Sequence, residues 1–356
     1  MQKKWNIFVA GLRIRWRSFS AATQTGKILI IHLDPLGDTA LLVAYLRSIG
    51  LSADQFDVCS LASLAPFWQH FFPTLQVFPF PTRSWDTAAL CQMCHKLRPR
   101  QYDVVILPCV SPPGAYLASC PMAPHRYGMI EAGRFFSGSR WLLSKVYDAP
   151  ATEHVVDRFR KLFGWINPEW SKPRPLSLPR PTAAPAANTV LLHPGGKWKP
   201  RRWSPERYLQ LARLLAMRGF SVHILIHQSE PDLLHFFRSH LTNKTEGIQI
   251  TQTTTITDLL AALGNAHFFI GNDSGPAHCA ALMNIPTLVL WGPADEARIR
   301  PLGASVVILK KDIDCRPCKQ YIHPDRCERG VNLCLQWITV EEVLDTFLNK
   351  LVPLSL

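Results

Sequence analysis

The chain alternates short apolar segments with segments of helical pattern, and it does so twice. In the first run, residues 27–33, 56–59 and 104–107 have the length and composition of buried parallel strands. The same alternation restarts after residue 188 with "TVLLHPG". Strands that alternate with helices are typical of doubly wound parallel sheets. We therefore predict an α/β protein with two Rossmann-like domains.

A proline-rich segment separates the two runs. Residues 167–188 contain six prolines and no hydrophobic periodicity, which is typical of a linker. Near the C-terminus, Thr339 and Glu342 have the spacing of a capping box for a last helix. We expect this helix to pack back on the first domain. The predicted organisation is an extension at 1–25, a first domain at 26–166, the linker at 167–188, a second domain at 189–335 and the C-terminal helix at 336–356.

The sequence carries a strong positive charge. Its 356 residues include 39 Lys and Arg but only 26 Asp and Glu, a formal net charge of +13. Such a chain attracts an anionic partner, which can be nucleic acid, an acidic membrane surface or a phosphorylated substrate. We do not expect nucleic acid, because the sequence has no recognition-helix motif and its basic residues concentrate at the N-terminus and in one loop.

Two observations bear on location. The sequence has no signal peptide and no run of 18 apolar residues, so we expect a cytoplasmic, reduced protein without a transmembrane helix. Residues 1–25 are basic, and their apolar side chains recur at helical spacing on one side. This pattern is typical of an interfacial membrane helix. A disordered or packed extension is the alternative that the pattern leaves open.

The first candidate site follows the first predicted strand, in the turn "DPLGD". This turn has one glycine, Gly37, where a dinucleotide-binding turn would have G-x-G-x-x-G, which counts against an NAD-dependent oxidoreductase. Asp38 stands at the carboxyl end of the strand, just before a helix predicted for residues 39–49. It is either the N-cap of that helix or a general base facing the cleft.

Two further candidate sites lie in the second run. After "LLHPGG" come four basic residues just before a helix that Ser204 caps, which suits a phosphate, although a solvated basic loop would have the same composition. The segment "GNDSGPAH" joins an apolar strand to a helix that we expect to begin near Pro276, with Asp273 or Ser274 as its cap. Free N–H groups at such a helix start bind anions. We therefore expect backbone groups to bind phosphate and Asp273 to bind sugar hydroxyls.

These three segments, in this order and spacing, resemble the signature of the heptosyltransferases, glycosyltransferase family 9. The resemblance implies a GT-B fold, with two Rossmann-like domains facing an interdomain cleft. It implies an inverting, metal-independent transfer of a heptose, from ADP-heptose, to a lipid-linked lipopolysaccharide core acceptor, without a cofactor. It also implies a peripheral position on the cytoplasmic face of the inner membrane. Other nucleotide-sugar transferases, a nucleotide-sugar epimerase and a non-catalytic nucleotide-sugar-binding protein remain alternatives.

The resemblance also assigns roles to individual residues. Asp38 matches the catalytic base, and Arg201 stands where the family usually has a lysine that contacts the donor phosphates. His278 matches a histidine near the donor, although a core histidine would fit the same helix. The implied donor site comprises Ser274, Gly275, Pro276, Ala277, Arg201 and Lys197 for the phosphates, Asp273 and His278 for the sugar, and Gly195, Gly196 and Glu230 for the nucleotide.

Cysteines form one more conspicuous pattern. The spacing Cys315-x2-Cys318-x8-Cys327-x6-Cys334 permits a four-thiolate zinc site, and disulfides or simple packing are the alternatives. The family resemblance implies no metal role, and we assign no metal ligand. Cys91 and Cys94 lie three residues apart in a predicted helix, and we expect them to be packing residues.

Overall fold

Two parallel sheets dominate the computed structural model, which describes residues 26–109, 111–121, 123–131, 139–176, 188–241, 247–318, 327 and 329–355. The first sheet has the order β3-β2-β1-β4-β5-β6, and the second has the order β12-β11-β10-β7-β8-β9. The twelve strands are β1 (Ile28–His32), β2 (Phe56–Leu61), β3 (Val77–Phe80), β4 (Val104–Leu107), β5 (His125–Glu131), β6 (Lys145–Ala149), β7 (Thr189–His193), β8 (Ser221–His227), β9 (Ile248–Thr253), β10 (Phe268–Asn272), β11 (Thr287–Trp291) and β12 (Val306–Lys310).

Helices connect these strands and cover both faces of each sheet. The α-helices of the described residues are α1 (Leu36–Ser48), α2 (Ala65–Phe71), α3 (Thr87–Leu97), α4 (Pro112–Ser119), α5 (Ser139–Leu142), α6 (Val155–Gly164), α7 (Pro205–Ala216), α8 (Pro231–His240), α9 (Ile256–Gly264), α10 (Gly275–Leu282), α11 (Glu296–Ile299), α12 (Leu333–Gln336) and α13 (Val340–Thr346). No helix in these described ranges is long and apolar enough to cross a membrane.

Strand order locates the ligand crevice of each sheet. In the first sheet the order reverses between β1 and β4, and in the second it reverses between β7 and β10. All pairings are parallel, and β1, β7 and β10 are buried along their whole length. Ligands of such sheets bind beyond the carboxyl ends of the strands at the reversal. The turns after β1, β7 and β10, which carry the three candidate sites, stand at these two positions.

Helices α1 and α10 hold the two sheets against each other. Both are buried almost all round, which is the composition expected of a helix between two layers. Their small residues share one apolar cluster that includes Ala40, Ala44, Ala277 and Ala280. A Cβ atom on Gly275 would lie 3.0 Å from Cδ2 of Leu36, so the helix starts approach closely only because residue 275 is glycine.

A charged contact also links the two halves. Glu131, at the end of β5, accepts a hydrogen bond from Arg298 of α11. The same carboxylate accepts a bond from Arg158 of α6 at 3.3 Å, and both Glu131 and Arg158 are buried. Because an unpaired buried charge is unfavourable, this contact favours the observed placement of α11 against the first sheet.

The C-terminal helix corrects one prediction. The capping box of Thr339 and Glu342 is confirmed at the start of α13. However, α13 and the turn after it bury Val343, Phe347 and Leu351 in the apolar core of the second sheet. Phe347 lies edge-on to Phe268 of β10, with the ring centroids 5.1 Å apart. The predicted packing on the first domain is therefore wrong.

The predicted linker, residues 167–188, begins as a packed turn. Asn167 caps a short 3₁₀ turn at Pro168–Ser171, and Trp170 within it is buried. The carbonyl of Trp170 accepts a hydrogen bond of 2.9 Å from the hydroxyl of Tyr45 in α1. Residues 177–187 and the predicted extension at 1–25 lie outside the described residues.

The packing prediction for Cys91 needs correction, and that for Cys94 needs an addition. Cys94 of α3 forms a disulfide with Cys120, which follows α4, and their Cα atoms are 5.3 Å apart. Cys91, one turn earlier in α3, is free and exposed. The packing prediction is therefore wrong for Cys91. Cys94 does pack against the apolar cluster of the first sheet, and it also forms the disulfide, which the sequence did not predict. Helical spacing places such residues on a face of a helix but does not say what that face meets.

Candidate functional site

The carboxylate of Asp38 lies in the first turn of α1, not at its N-cap. The helix begins at Leu36, three residues before the predicted start, and Pro35 occupies the cap position without a side-chain bond. The side-chain carboxylate of Asp38 accepts no hydrogen bond from any described residue. The N-cap interpretation is therefore wrong, and the carboxylate keeps its acceptor capacity for a ligand.

Burial gives Asp38 an unusual proton affinity. Desolvation raises its pKa from 3.8 to about 6, and repulsion from Asp34 contributes in the same direction. Interactions with His32, Arg83 and Arg201 offset part of this rise. A carboxylate with this pKa is mostly ionised at neutral pH but takes up a proton readily. These are the properties of a general base.

A second polar group lies beside Asp38 and was not predicted from the sequence. His32, at the end of β1, is fully buried, and neither of its ring nitrogens has a hydrogen-bond partner among the described residues. Burial lowers the pKa of His32 to about 4, so the ring is neutral. Ligand atoms of His32, Asp34 and Cys109 lie within 4.8 Å of one another, a grouping that could hold a metal ion. Asp34 is also paired with Arg83 at 2.9 Å.

Across the cleft, Arg201 and Asp273 form an ion pair. Arg201 Nη1 lies 2.9 Å from Asp273 Oδ2, and the Asp273 side chain is 2% exposed. Burial raises the pKa of Asp273, and the Arg201 guanidinium opposes that rise. Arg201 also lies over the ring of Trp198, 4.6 Å from its centroid. The residue predicted for phosphate and the residue predicted for sugar hydroxyls thus contact each other directly.

The turn before α10 supplies backbone donors. Ser274 occupies the N-cap position, but its hydroxyl does not cap the helix and instead lies 3.1 Å from Nδ1 of His193. The amide of Ala277 donates to the carbonyl of Ser274 at 3.1 Å. The amides of Ser274 and Gly275 donate to no group in the part of the chain that the structure describes. These two amides, rather than that of Ala277 or the imide nitrogen of Pro276, are available to an anion.

Asn272 holds this turn against the loop that carries Gly195 and Gly196, which we call the glycine loop. Sequence analysis did not identify Asn272. Its Oδ1 accepts bonds from the amide of Trp203 at 2.9 Å and the hydroxyl of Tyr208 at 3.0 Å. Its Nδ2 donates to the carbonyls of Pro194 and Gly195 at 2.9 and 3.0 Å. A polar residue at the end of an otherwise apolar strand is the signal that could have pointed to it.

Glu230 holds the glycine loop in place through hydrogen bonds to its carboxylate. Its carboxylate accepts bonds from the amides of Gly196 at 2.8 Å and His227 at 3.2 Å, and Arg202 lies 3.3 Å away. A Cβ atom on Gly195 would lie 2.4 Å from the Glu230 oxygens, so a larger residue here would displace the Glu230 carboxylate from its bond to Gly196. The nucleotide contact predicted for Glu230 stays a prediction. Lys197, further along the loop, is exposed.

His278 connects the two sides of the cleft. Burial is the main cause that lowers its pKa to about 3, and Arg201 acts in the same direction. Its Nδ1 has no hydrogen-bond partner among the described residues. A Cβ atom on Gly37 would lie 3.1 Å from Cδ2 of His278, so the ring reaches from α10 to the residue beside Asp38. The fold thus brings Asp38, His278 and the Arg201–Asp273 pair to one cleft.

A family model described as glycosyltransferase family 9 (heptosyltransferase) matches residues 90–327. The chain belongs to glycosyltransferase family 9. It is 26% identical over 180 residues to lipopolysaccharide heptosyltransferase 1 of Pseudomonas aeruginosa, an alignment that covers 49% of this chain and 50% of that protein. It is 21% identical over 314 residues to lipopolysaccharide heptosyltransferase 2 of Salmonella typhimurium, covering 80% and 88%. The chain spans half or less of the length of the first curated relatives that it matches.

Solved structures give the fold. The family 9 chain resembles E. coli ADP-heptose lps heptosyltransferase II with a TM-score of 0.73 at 20% identity, covering 93% of this chain and 100% of that chain. It resembles E. coli heptosyltransferase WaaC with ADP with a TM-score of 0.68 at 17% identity, covering 91% and 99%. The predicted α/β fold of GT-B type, with two Rossmann-like sheets, is confirmed.

Proposed function

We propose that this family 9 protein is a heptosyltransferase that moves a heptose from ADP-heptose to a hydroxyl of a lipopolysaccharide core acceptor. The proposal rests on the environment of Asp38. No described group donates a hydrogen bond to its carboxylate, and its pKa is raised to about 6. It stands across the cleft from the Arg201–Asp273 pair, whose carboxylate is buried, and from the amides of Ser274 and Gly275. E. coli heptosyltransferase WaaC, which has the same fold, is described with ADP and with ADP-2-deoxy-2-fluoro heptose, which supports the choice of donor.

The donor diphosphate is proposed to bind at the start of α10. The amides of Ser274 and Gly275 and the positive end of the helix dipole supply donors, and Arg201 and exposed Lys197 supply charge. As the bond between the anomeric carbon and the diphosphate breaks, negative charge grows on the leaving group. Fixed donors at that position stabilise the charge without a metal ion at the reacting atoms.

The acceptor reacts from the side of the first sheet. Asp38 takes the proton of the acceptor hydroxyl while the oxygen attacks the anomeric carbon from the face opposite the diphosphate, so the configuration inverts. Asp273 binds hydroxyls of the heptose, and neutral His278 lies between the two sides. Closure of the two sheets around the substrates would exclude water and protect the donor from hydrolysis.

The remaining assignments concern the nucleotide and the membrane. Gly195 and Gly196 allow a close approach of the nucleotide to the backbone, and Glu230 below them is the acidic group that a ribose would meet. The lipid-linked acceptor requires the enzyme to reach the cytoplasmic face of the inner membrane. The basic segment at residues 1–25 is proposed to bind that surface.

A ligand panel tests the proposal. Calorimetry with ADP-, GDP- and UDP-sugars should show binding of an ADP-sugar in preference to the others. Incubation with ADP-heptose and a heptose-deficient core lipopolysaccharide should then release ADP and extend the acceptor. Binding without transfer would favour a non-catalytic sugar-nucleotide protein, and isomerisation of the donor without an acceptor would favour an epimerase. No binding of any nucleotide sugar would overturn the proposal.

A further inference from the structure

Three side chains that can each bind a metal ion meet at the carboxyl edge of the first sheet. His32 is the last residue of β1, Asp34 follows it by two residues, and Cys109 follows β4 by two residues. Strands β1 and β4 are neighbours in the sheet, so these positions lie together. We call the three residues the His–Asp–Cys group. Their ligand atoms lie within 4.8 Å of one another, and no other such group occurs in the ranges that the structure describes.

His32 is the member of the group whose state points to a ligand. Its side chain is fully buried, and neither ring nitrogen has a hydrogen-bond partner among the described residues. The ring of Trp68 lies edge-on to it, with the ring centroids 6.4 Å apart. Buried polar atoms normally have partners, and a neutral imidazole is the commonest metal ligand of proteins. An imidazole that is held by packing, with both nitrogens unpartnered, is therefore suited to coordinate a metal ion.

The other two members supply the negative charge that a divalent ion needs. Cys109 is buried, and its thiol makes only a long contact of 3.8 Å with the carbonyl of Ile31. Asp34 is paired with Arg83, and a carboxylate can bind a metal while it accepts a hydrogen bond from an outer partner. One dication, one carboxylate and one thiolate together carry no net charge. A buried site tolerates such a neutral set better than it tolerates an unpaired charge.

Solvent reaches one side of the group. The Asp34 side chain is 20% exposed and that of Arg83 is 50% exposed. An ion can therefore enter past Asp34, and solvent screens the charge of Arg83.

We propose that His32, Asp34 and Cys109 bind one Zn²⁺ ion, through an imidazole nitrogen, a carboxylate oxygen and a thiolate sulfur. Zinc accepts all three kinds of ligand, and three protein ligands leave a fourth position for water. On binding, the S–H bond of Cys109 breaks, its proton goes to solvent and a zinc–sulfur bond forms. No oxidant or reductant is needed.

The position of this site gives zinc an effect on sugar transfer. His32 and Asp34 both interact electrostatically with Asp38, the proposed base. A dication bound there would attract the Asp38 carboxylate and so compete with the acceptor hydroxyl for it. We therefore expect zinc to inhibit the transfer rather than to support it. This step rests on the proposed function, whereas zinc binding itself does not.

Zinc content tests the site without any nucleotide sugar. Other cysteines of the chain can also take up zinc, so the decisive quantity is a difference between proteins. After chelation and dialysis against Zn²⁺, the Cys109→Ser and His32→Asn variants should each contain about one zinc fewer per chain than the unmodified chain. A Cys59→Ser variant should contain as much as the unmodified chain, because Cys59 is an equally buried free thiol of the same sheet outside the group. Equal zinc contents in all four proteins would overturn the site.

A second measurement uses the unmodified chain, because a substitution at a buried position can prevent folding. Crystals soaked in Zn²⁺ and measured at the zinc absorption edge should show an anomalous peak within bonding distance of His32, Asp34 and Cys109. The absence of a peak there would overturn the site, even if zinc is bound elsewhere.

Transfer assays separate the site from its effect. Zinc should lower the transfer rate of the unmodified chain at least about tenfold relative to the rate of the same protein after chelation, since it opposes a general base. The Cys109→Ser variant should show no such ratio. Zinc binding without inhibition would uphold the site and overturn its effect on Asp38. A chain that binds zinc at the group but transfers no sugar after chelation would uphold the site and contradict the proposed function instead.

Discussion

Replacing Asp38 with asparagine separates its chemical role from its structural role. Asparagine has nearly the same size but cannot accept the proton of a hydroxyl nucleophile. Because general bases contribute about 10²- to 10⁴-fold, turnover should fall by at least about 10²-fold. Under the proposed function Asp38 contacts the acceptor, whereas the diphosphate binds at Ser274 and Gly275. The affinity for ADP should therefore stay within about twofold of that of the unmodified chain.

The same substitution should stabilise the fold at alkaline pH. The folded-state pKa of Asp38 is about 6, above its ordinary value of 3.8, so the folded chain binds this proton more tightly than the unfolded chain. Stability from this group is full below about pH 4 and is lost as the pH rises through 6. At pH 8 the loss has a ceiling of about 3 kcal/mol, and partial solvent contact of Asp38 reduces it. Asparagine removes that loss.

Urea denaturation at pH 8 and pH 5, with ADP release as the activity assay, measures both effects. We expect the variant to unfold at higher urea than the unmodified chain at pH 8, with a smaller difference at pH 5. A variant that transfers sugar at the original rate would refute Asp38 as the base. A variant that is less stable than the unmodified chain at pH 8 would show that desolvation does not destabilise the Asp38 carboxylate in the folded chain.

Three further substitutions probe the surroundings of the site. The rate kcat/KM should rise with pH through about 6, and Asp34→Asn should move this limb to lower pH, because Asp34 repels the ionised form of Asp38; an unmoved pH profile would argue against that coupling. Gly195→Ala should displace Glu230 and weaken nucleotide binding at least about tenfold by calorimetry, since its Cβ would lie 2.4 Å from the carboxylate. Asn272→Ala should lower the free energy of unfolding by about 3 kcal/mol in urea, because it leaves buried partners unsatisfied.

Local sequence signals predicted local structure well. Residues 104–107 were predicted as a strand, and β4 spans Val104–Leu107. Ser204 caps α7 by accepting a bond from the amide of Arg207, as predicted. Each of these features depends on residues that are neighbours in the chain. The alternation of strands and helices along the chain is also a local signal, and it predicts the two crevices at the strand ends.

Features that depend on distant contacts were not predictable. Ser274 has the sequence of a capping residue, but its hydroxyl meets His193, 81 residues earlier. Gly37 suggested a turn, yet it lies inside α1 and gives room to His278. Asn272 became recognisable as the bond between two loops only once both loops were placed. In each case the sequence supplied the right residue type, and tertiary packing decided what that residue does.

The Arg201–Asp273 pair bears on the repulsion expected between the Asp273 carboxylate and a diphosphate bound next to it. A carboxylate beside a diphosphate would repel it, and Asp273 is too deeply buried for water to screen that repulsion. Under the proposed function Arg201 lies between Asp273 and the diphosphate, so that one guanidinium pairs with both anions. If the diphosphate draws Arg201 toward itself, the attraction between Arg201 and the Asp273 carboxylate weakens. Hydrogen bonds from the hydroxyls of the donor sugar then stabilise that buried carboxylate instead. A free nucleoside diphosphate supplies the phosphates but not the hydroxyls. The ion pair therefore favours the intact sugar nucleotide over the product that remains after transfer.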